Sequence, residues 1–319
     1  MTRVMIIILS VITGQAAIAQ QTFQHTLFRN QLLGLNPAIA GTQDHIPLAL
    51  THRSQWVGLE GAPSTQVFTV HGPATKKAGL GLTMINDQTG PAGTFSIQLS
   101  YAWKVKLTDT RTLSFGLAPA LYQFSLDKSK LTTDQAGDPL LTGVNEKSIS
   151  ADVLAGVYFY DEKIAVGFSI PNLLRSEVFF GDALATERLP RHFILTASYS
   201  DTLNATWRFN PLAIGRYTPG APAQGDLTLR GVYKETAWLG LGGRASTAKD
   251  KGEALLMQFG LDHGPYSIGY SYDYTLSTIG ENSGGSHEIL LRYRIPLCGQ
   301  GKVRKKKEDD IVAPIAPTD

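Results

Sequence analysis

From Thr94 to Leu107 the chain reads TFSIQLSYAWKVKL, with Phe95, Ile97, Leu99, Tyr101, Trp103, Val105 and Leu107 at alternate positions. Thr94, Ser96, Gln98, Ser100, Ala102, Lys104 and Lys106 fill the places between. A period of two puts the first set on one face of a β-strand and the second on the other. Strands of a soluble sandwich are usually nearer five or six residues. A strand that crosses a bilayer needs about 9 to 11, with one apolar face toward lipid. A run this long, with aromatics toward its end and two lysines on its other face, fits a membrane barrel better than a sandwich. HEILLRYRIPL repeats the pattern, setting Ile289, Leu291, Tyr293, Ile295 and Leu297 against Glu288, Arg292 and Arg294. In YSIGYSYDY, Tyr266, Ile268, Tyr270, Tyr272 and Tyr274 form a stripe opposite Ser267, Gly269, Ser271 and Asp273.

Composition does not choose between the two folds, since 43% hydrophobic and 18% charged residues suit an ordinary soluble protein. The first residues narrow the choice. Arg3, the apolar run VMIIILSVI and Ala17-Ile18-Ala19 have the form of a secretory signal peptide, with cleavage expected between Ala19 and Gln20. No later apolar run approaches the roughly 20 residues of a transmembrane helix. Cys298 is the single cysteine, which excludes an internal disulfide.

Fourteen alternating runs are predicted, near 47–56, 64–72, 78–86, 94–107, 111–125, 149–160, 163–170, 191–200, 203–214, 225–234, 236–246, 253–262, 265–275 and 286–297. The number is even, as in bacterial single-chain barrels. Tight turns at 108–110, 161–162, 201–202, 234–235 and 263–265 interleave with longer segments at 87–93, 126–148, 171–190, 215–224 and 276–285. Short periplasmic turns and longer outer loops produce that alternation. The expected fold is all-β, an antiparallel outer-membrane barrel of about fourteen strands over 46–298 with periplasmic termini. Residues 1–19 are the signal peptide and 20–45 a periplasmic or plug segment, for which a loosely ordered lead-in is equally open. Residues 299–319, a basic run, an acidic triplet and a Pro/Ala tail, are expected to be a disordered charged tail.

Patterns that carry chemistry are missing. There is no HExxH, no paired CxxC and no GxSxG. Gly79, Gly81, Gly240, Gly242 and Gly243 lie within strand runs with no helix following, so they read as closely packed wall positions and not as a phosphate loop. No catalytic, cofactor-binding or metal-binding residue is assigned, no cofactor is expected, and nothing suggests a nucleic-acid partner. One constellation follows from topology. If the last strand pairs with the first, Arg53, Asp273 and Glu288 share the outer third of the lumen on three neighbouring strands, as an ion-paired cluster.

The chain resembles the PorP/SprF family, outer-membrane proteins of type IX secretion and gliding in Bacteroidota. Its marks are FRNQLLGLNPAIAG, with Asn36, Pro37 and Gly41; Arg53-Ser54-Gln55-Trp56; Gly61-Ala62-Pro63-Ser64-Thr65; Asn86-Asp87-Gln88-Thr89-Gly90-Pro91; Tyr101-Ala102-Trp103; Gly269-Tyr270-Ser271-Tyr272-Asp273; and Gly285-Ser286-His287-Glu288-Ile289. Ile39 stands where an aromatic is common in that family, and the lysine-rich tail is not a family mark. The resemblance implies a non-enzymatic barrel that supports export or surface attachment of a cognate adhesin-like protein. Its implied partners are periplasmic ring or peptidoglycan-associated components and outer-membrane lipid. The alternative is a passive or solute-selective channel of the porin or fatty-acid-transporter kind.

Overall fold

A computed structural model describes residues 24–130, 146–180, 185–248 and 252–297. Among them, fourteen strands form one closed antiparallel barrel: β1 (His45–Ser54), β2 (Ser64–Pro73), β3 (Ala78–Thr89), β4 (Ala92–Lys106), β5 (Thr112–Leu126), β6 (Glu146–Tyr160) and β7 (Ile164–Ile170), then β8 (Phe193–Tyr199, continued by Asp201–Thr202), β9 (Trp207–Phe209, continued by Leu212–Tyr217), β10 (Gln224–Tyr233), β11 (Ala237–Ser246), β12 (Gly252–His263), β13 (Tyr266–Thr275) and β14 (Ser286–Pro296). The seam between β1 and β14 runs from His45 opposite Pro296 to Ser54 opposite His287. Strand β9 breaks at Asn210-Pro211, because proline has no amide for the ladder; Asn210 N donates instead to Arg230 O at 2.7 Å.

The alternation predicted from sequence is the alternation between lipid face and lumen. On β4, Leu99 is 59% exposed and Ser100 2%. Tyr266, Ile268 and Tyr274 on β13 face outward, while Ser267, Ser271 and Asp273 are buried. Two connections depart from expectation, one of them the tight turn expected at 201–202, where Asp201 and Thr202 instead pair with Phe209 and Arg208 and the turn falls at 203–206. Residues 87–93 are not a longer loop: β3 and β4 extend into them and meet in a tight turn at Gly90, which has φ +54°. The strand runs past its expected end at 86 because Asn86, Asp87 and Gln88, polar residues that break the alternation, still pair with Phe95, Thr94 and Gly93.

The two rims differ. One carries the tight turns together with the start of β1 and the end of β14. At the other, β3 to β6 run beyond the shorter strands of the opposite wall, and a two-stranded hairpin (Glu177–Phe180 with Ala185–Arg188) packs against β6. Asp152, buried on β6, accepts from Leu174 N and Ser176 N, both at 2.9 Å, and Ser150 Oγ donates to Glu177 O at 3.0 Å. In the same connection His192 Nδ1 lies 2.6 Å from Thr218 Oγ1, and burial pushes its imidazole down to about 4, so it is neutral at physiological pH.

Candidate functional site

The lumen is occupied by the chain's own residues 24–44. Gln24 donates from Nε2 to Gln224 Oε1 at 2.9 Å, where β10 begins at the long-loop rim. The segment then descends through a 3₁₀ turn (Phe28–Asn30), one turn of α-helix (Leu32–Leu35) and a second 3₁₀ turn (Pro37–Ile39), and joins β1 at the tight-turn rim. The first described residue thus lies at the opposite rim from His45. The two ends of the barrel wall, His45 and Pro296, share a rim, and Gln24 lies at the other.

Local sequence explains this path. Asn36 precedes proline and is extended (φ −144°, ψ 110°), which ends the helical turn at Leu35. Its Oδ1 accepts from Ala38 N at 3.0 Å, capping the next turn, whose first position is Pro37. Its Nδ2 donates to Val157 O of β6 at 3.0 Å. Phe28, Leu32, Leu35 and Ile39 pack against Tyr158, Ile194, Leu212 and Ile214, apolar residues on the inner wall. Leu27 packs with Val232, Trp238 and Leu290. Asn36→Ala removes the cap and the wall contact and is expected to lower stability by about 1–2 kcal/mol; a thermal shift of the folded band in unheated gels measures it.

Asn36 to Gly41 approach the wall backbone to backbone. A Cβ on Gly79 would fall inside the carbonyl of Ala40, one on Gly116 against Ala38 N, and one on Gly156 against Asn36 Oδ1. Gly41, at φ +66°, is itself a socket partner, since a Cβ there would lie 2.8 Å from Gly72 O and from Gly79 Cα. Glycine is required where two backbones meet this closely. Lys104 Nζ donates to Gly41 O at 2.6 Å and fixes the lower end of the segment.

At the long-loop end Arg53, Asp273 and Glu288 come together, none more than 1% exposed. Arg53 Nη2 is 2.7 Å from Asp273 Oδ2 and Nη1 is 3.2 Å from Glu288 Oε2. The network extends beyond the predicted three. Arg244 Nη1 lies 3.6 Å from Asp273 Oδ2, and Asp226 bridges Arg244 (Nε to Oδ1, 2.6 Å) and Arg216. Such buried pairs hold geometry more than they add stability, because desolvation offsets their attraction. Lower in the lumen, Arg292 pairs with Asp262 at 3.1 Å. Between plug and wall, a cavity bordered by Arg29, Leu33, Gln43, His71 and Arg292 has about 20 Å³, room for a single water.

The other motif residues sit at the long-loop rim. Gln55 N donates to Pro63 O at 2.9 Å; Trp56, at φ +45°, donates its amide to Ser286 Oγ at 3.2 Å, and Val57 N to Gly285 O at 2.9 Å. His287 faces outward, its Nδ1 2.6 Å from Tyr270 OH and its ring 5.2 Å from Tyr272. These residues join the β1–β2 loop to the seam and do not enter the lumen. Ala19, Gln20 and Cys298 lie outside the described residues. Among the described residues no cluster of three His, Cys, Asp or Glu could hold a metal.

Solved structures with similar folds include the CymD monoaromatic hydrocarbon channel (10% identity, covering 84% of this chain and 93% of that one, TM-score 0.47). A Pseudomonas aeruginosa FadL homologue is similar at 11% identity (82% and 92% covered, TM-score 0.47), as is the Pseudomonas putida toluene transporter TodX at 9% (84% and 94%, TM-score 0.46). Likeness at this level says nothing about cargo. No curated protein matches the chain. The family model described as type IX secretion system membrane protein PorP/SprF matches residues 17–293, which include the plug and all of the barrel up to Tyr293. The chain therefore belongs to the PorP/SprF family of type IX secretion membrane proteins.

Proposed function

We propose that this outer-membrane barrel is a closed, non-enzymatic accessory of type IX secretion that supports export or surface attachment of a cognate adhesin-like protein. The observation that carries this reading is the filled lumen. Residues 24–44 cross it from rim to rim, and the cavity beside them has room for one water, which favours a closed barrel over the channel alternative. The tight-turn rim faces the periplasm in this reading. The charged tail at 299–319 then extends toward ring or peptidoglycan-linked components, and the long-loop rim, with its hairpin and seam contacts, faces the exported partner.

Planar-bilayer recording of the purified protein is the direct test. No steady open conductance is expected, and a stable open pore would restore the channel reading. Co-purification of the tagged protein from the outer membrane, with identification of what accompanies it, tests the partner side; recovery without any secretion component would count against the accessory role.

A further inference from the structure

At the long-loop end the wall holds the plug mainly by its main chain. Glu288 accepts from two successive amides, Thr26 N at 2.7 Å and Leu27 N at 3.2 Å. Gln258 Nε2 donates to Thr26 O at 2.8 Å and Arg244 Nη2 to His25 O at 3.3 Å. Two side chains are also read: the Thr26 hydroxyl, which donates to Asp273 Oδ2 at 2.7 Å and accepts from Arg53 Nη1 at 3.2 Å, and the His25 ring, 3.3 Å from Glu288 Oε1. The chain bends at Thr26 and Leu27, which is what turns two successive amides toward one carboxylate, and any peptide that takes the same bend and offers a hydroxyl would meet the same groups.

The present occupant does not exhaust them. Among the described residues, Asp273 Oδ1, Arg53 Nε and Ser271 Oγ find no hydrogen-bond partner, although their residues are at most 1% exposed. Buried polar atoms left unpaired weaken a complex relative to one that pairs them. The lower half of the plug differs, since Asn36 to Gly41 are fitted against glycines with no space to spare. The lower half therefore adds a tight backbone fit to its hydrogen bonds, whereas His25–Leu27 is held by hydrogen bonds and by the packing of Leu27 against Val232, Trp238 and Leu290.

We propose that the outer third of the lumen is a peptide-binding site, filled in cis by His25–Leu27 and open to exchange with a similarly bent, Ser- or Thr-bearing segment of a protein partner. This deepens the accessory role and rests on it only for the partner's identity.

The test uses the full-length barrel carrying Thr26→Pro, which removes the hydroxyl and one amide donor from the cis segment and leaves every wall group in place. Heat-modifiable gel mobility reports whether that barrel is folded, and Thr26→Val is the milder second variant. A fluorescent peptide of residues 24–30 (QHTLFRN) is titrated against each protein. It is expected to bind the Thr26→Pro barrel at least about tenfold more tightly than the unmodified one, and to lose about tenfold when Glu288→Gln is added or when the peptide's threonine is alanine. Absence of binding to both folded variants, or equal binding by all proteins and both peptides, overturns the proposal. Peptide binding by a barrel whose unmodified form conducts ions steadily would sink the accessory role and keep the site. Normal secretion dependence without peptide binding would do the reverse.

Discussion

Gly116→Val is expected to unseat the plug. Gly116 lies opposite Gly156 in the β5–β6 ladder, and a Cβ there would overlap Ala38 N and the Pro37 carbonyl carbon, which are all backbone. Neither side can yield at little cost. Strand β5 is hydrogen-bonded on both edges, and the Pro37–Ile39 turn is capped by Asn36. The expected result is a destabilisation of about 3 kcal/mol or more, at the upper end for overpacking, together with a conductance absent from the parent barrel. Gly215→Val is the control, because a Cβ at Gly215 meets nothing within 4 Å. If the two variants behaved alike in unheated gels and in bilayers, the glycine socket would be no determinant of plug seating.

The second large effect is expected at the charge cluster. Removing one partner of a buried pair leaves the other charge without its match, at a typical cost of about 3–5 kcal/mol. Asp273→Ala leaves Arg53 and Arg244 sharing a site with Glu288 and Asp226 only, so it is expected to reach that range. Arg53→Ala is expected to be milder: Asp273 keeps Arg244 and the Thr26 hydroxyl, and Glu288 keeps His25 and two amides. The double variant should fall short of the sum by about 1–3 kcal/mol. Heat-modifiable mobility across the four proteins measures this, and strictly additive shifts would show that the two residues act independently.

Much of this architecture was legible in the residues because a strand's period of two does not depend on distant contacts. The alternation in β4, β13 and β14 named the lipid face, and even strand number with closure then placed Arg53 beside Glu288, which are direct partners across the seam. Arg216, Asp226 and Arg244 escaped notice although the same alternation turns them inward. Their pairing depends on the register of β9, β10 and β11, and β9 is interrupted at Asn210-Pro211. The plug was legible only as one of two possibilities, because residues 24–44 form single turns too short for any periodicity. A signal was available on the wall. Tyr158, Ile194, Leu212 and Ile214 place apolar side chains on a face that water would otherwise fill, and Gly79, Gly116 and Gly156 leave that face without side chains at one level of the lumen.

The path of residues 24–44 also constrains the order of assembly. A segment tied covalently to β1 at one rim, and reaching Gln224 at the other, would have to be threaded lengthwise if the wall closed first. Wrapping of the wall around a plug already in place avoids that threading. Joining of β14 to β1 is then the closing event, and it brings Arg53, Asp273 and Glu288 together around Thr26.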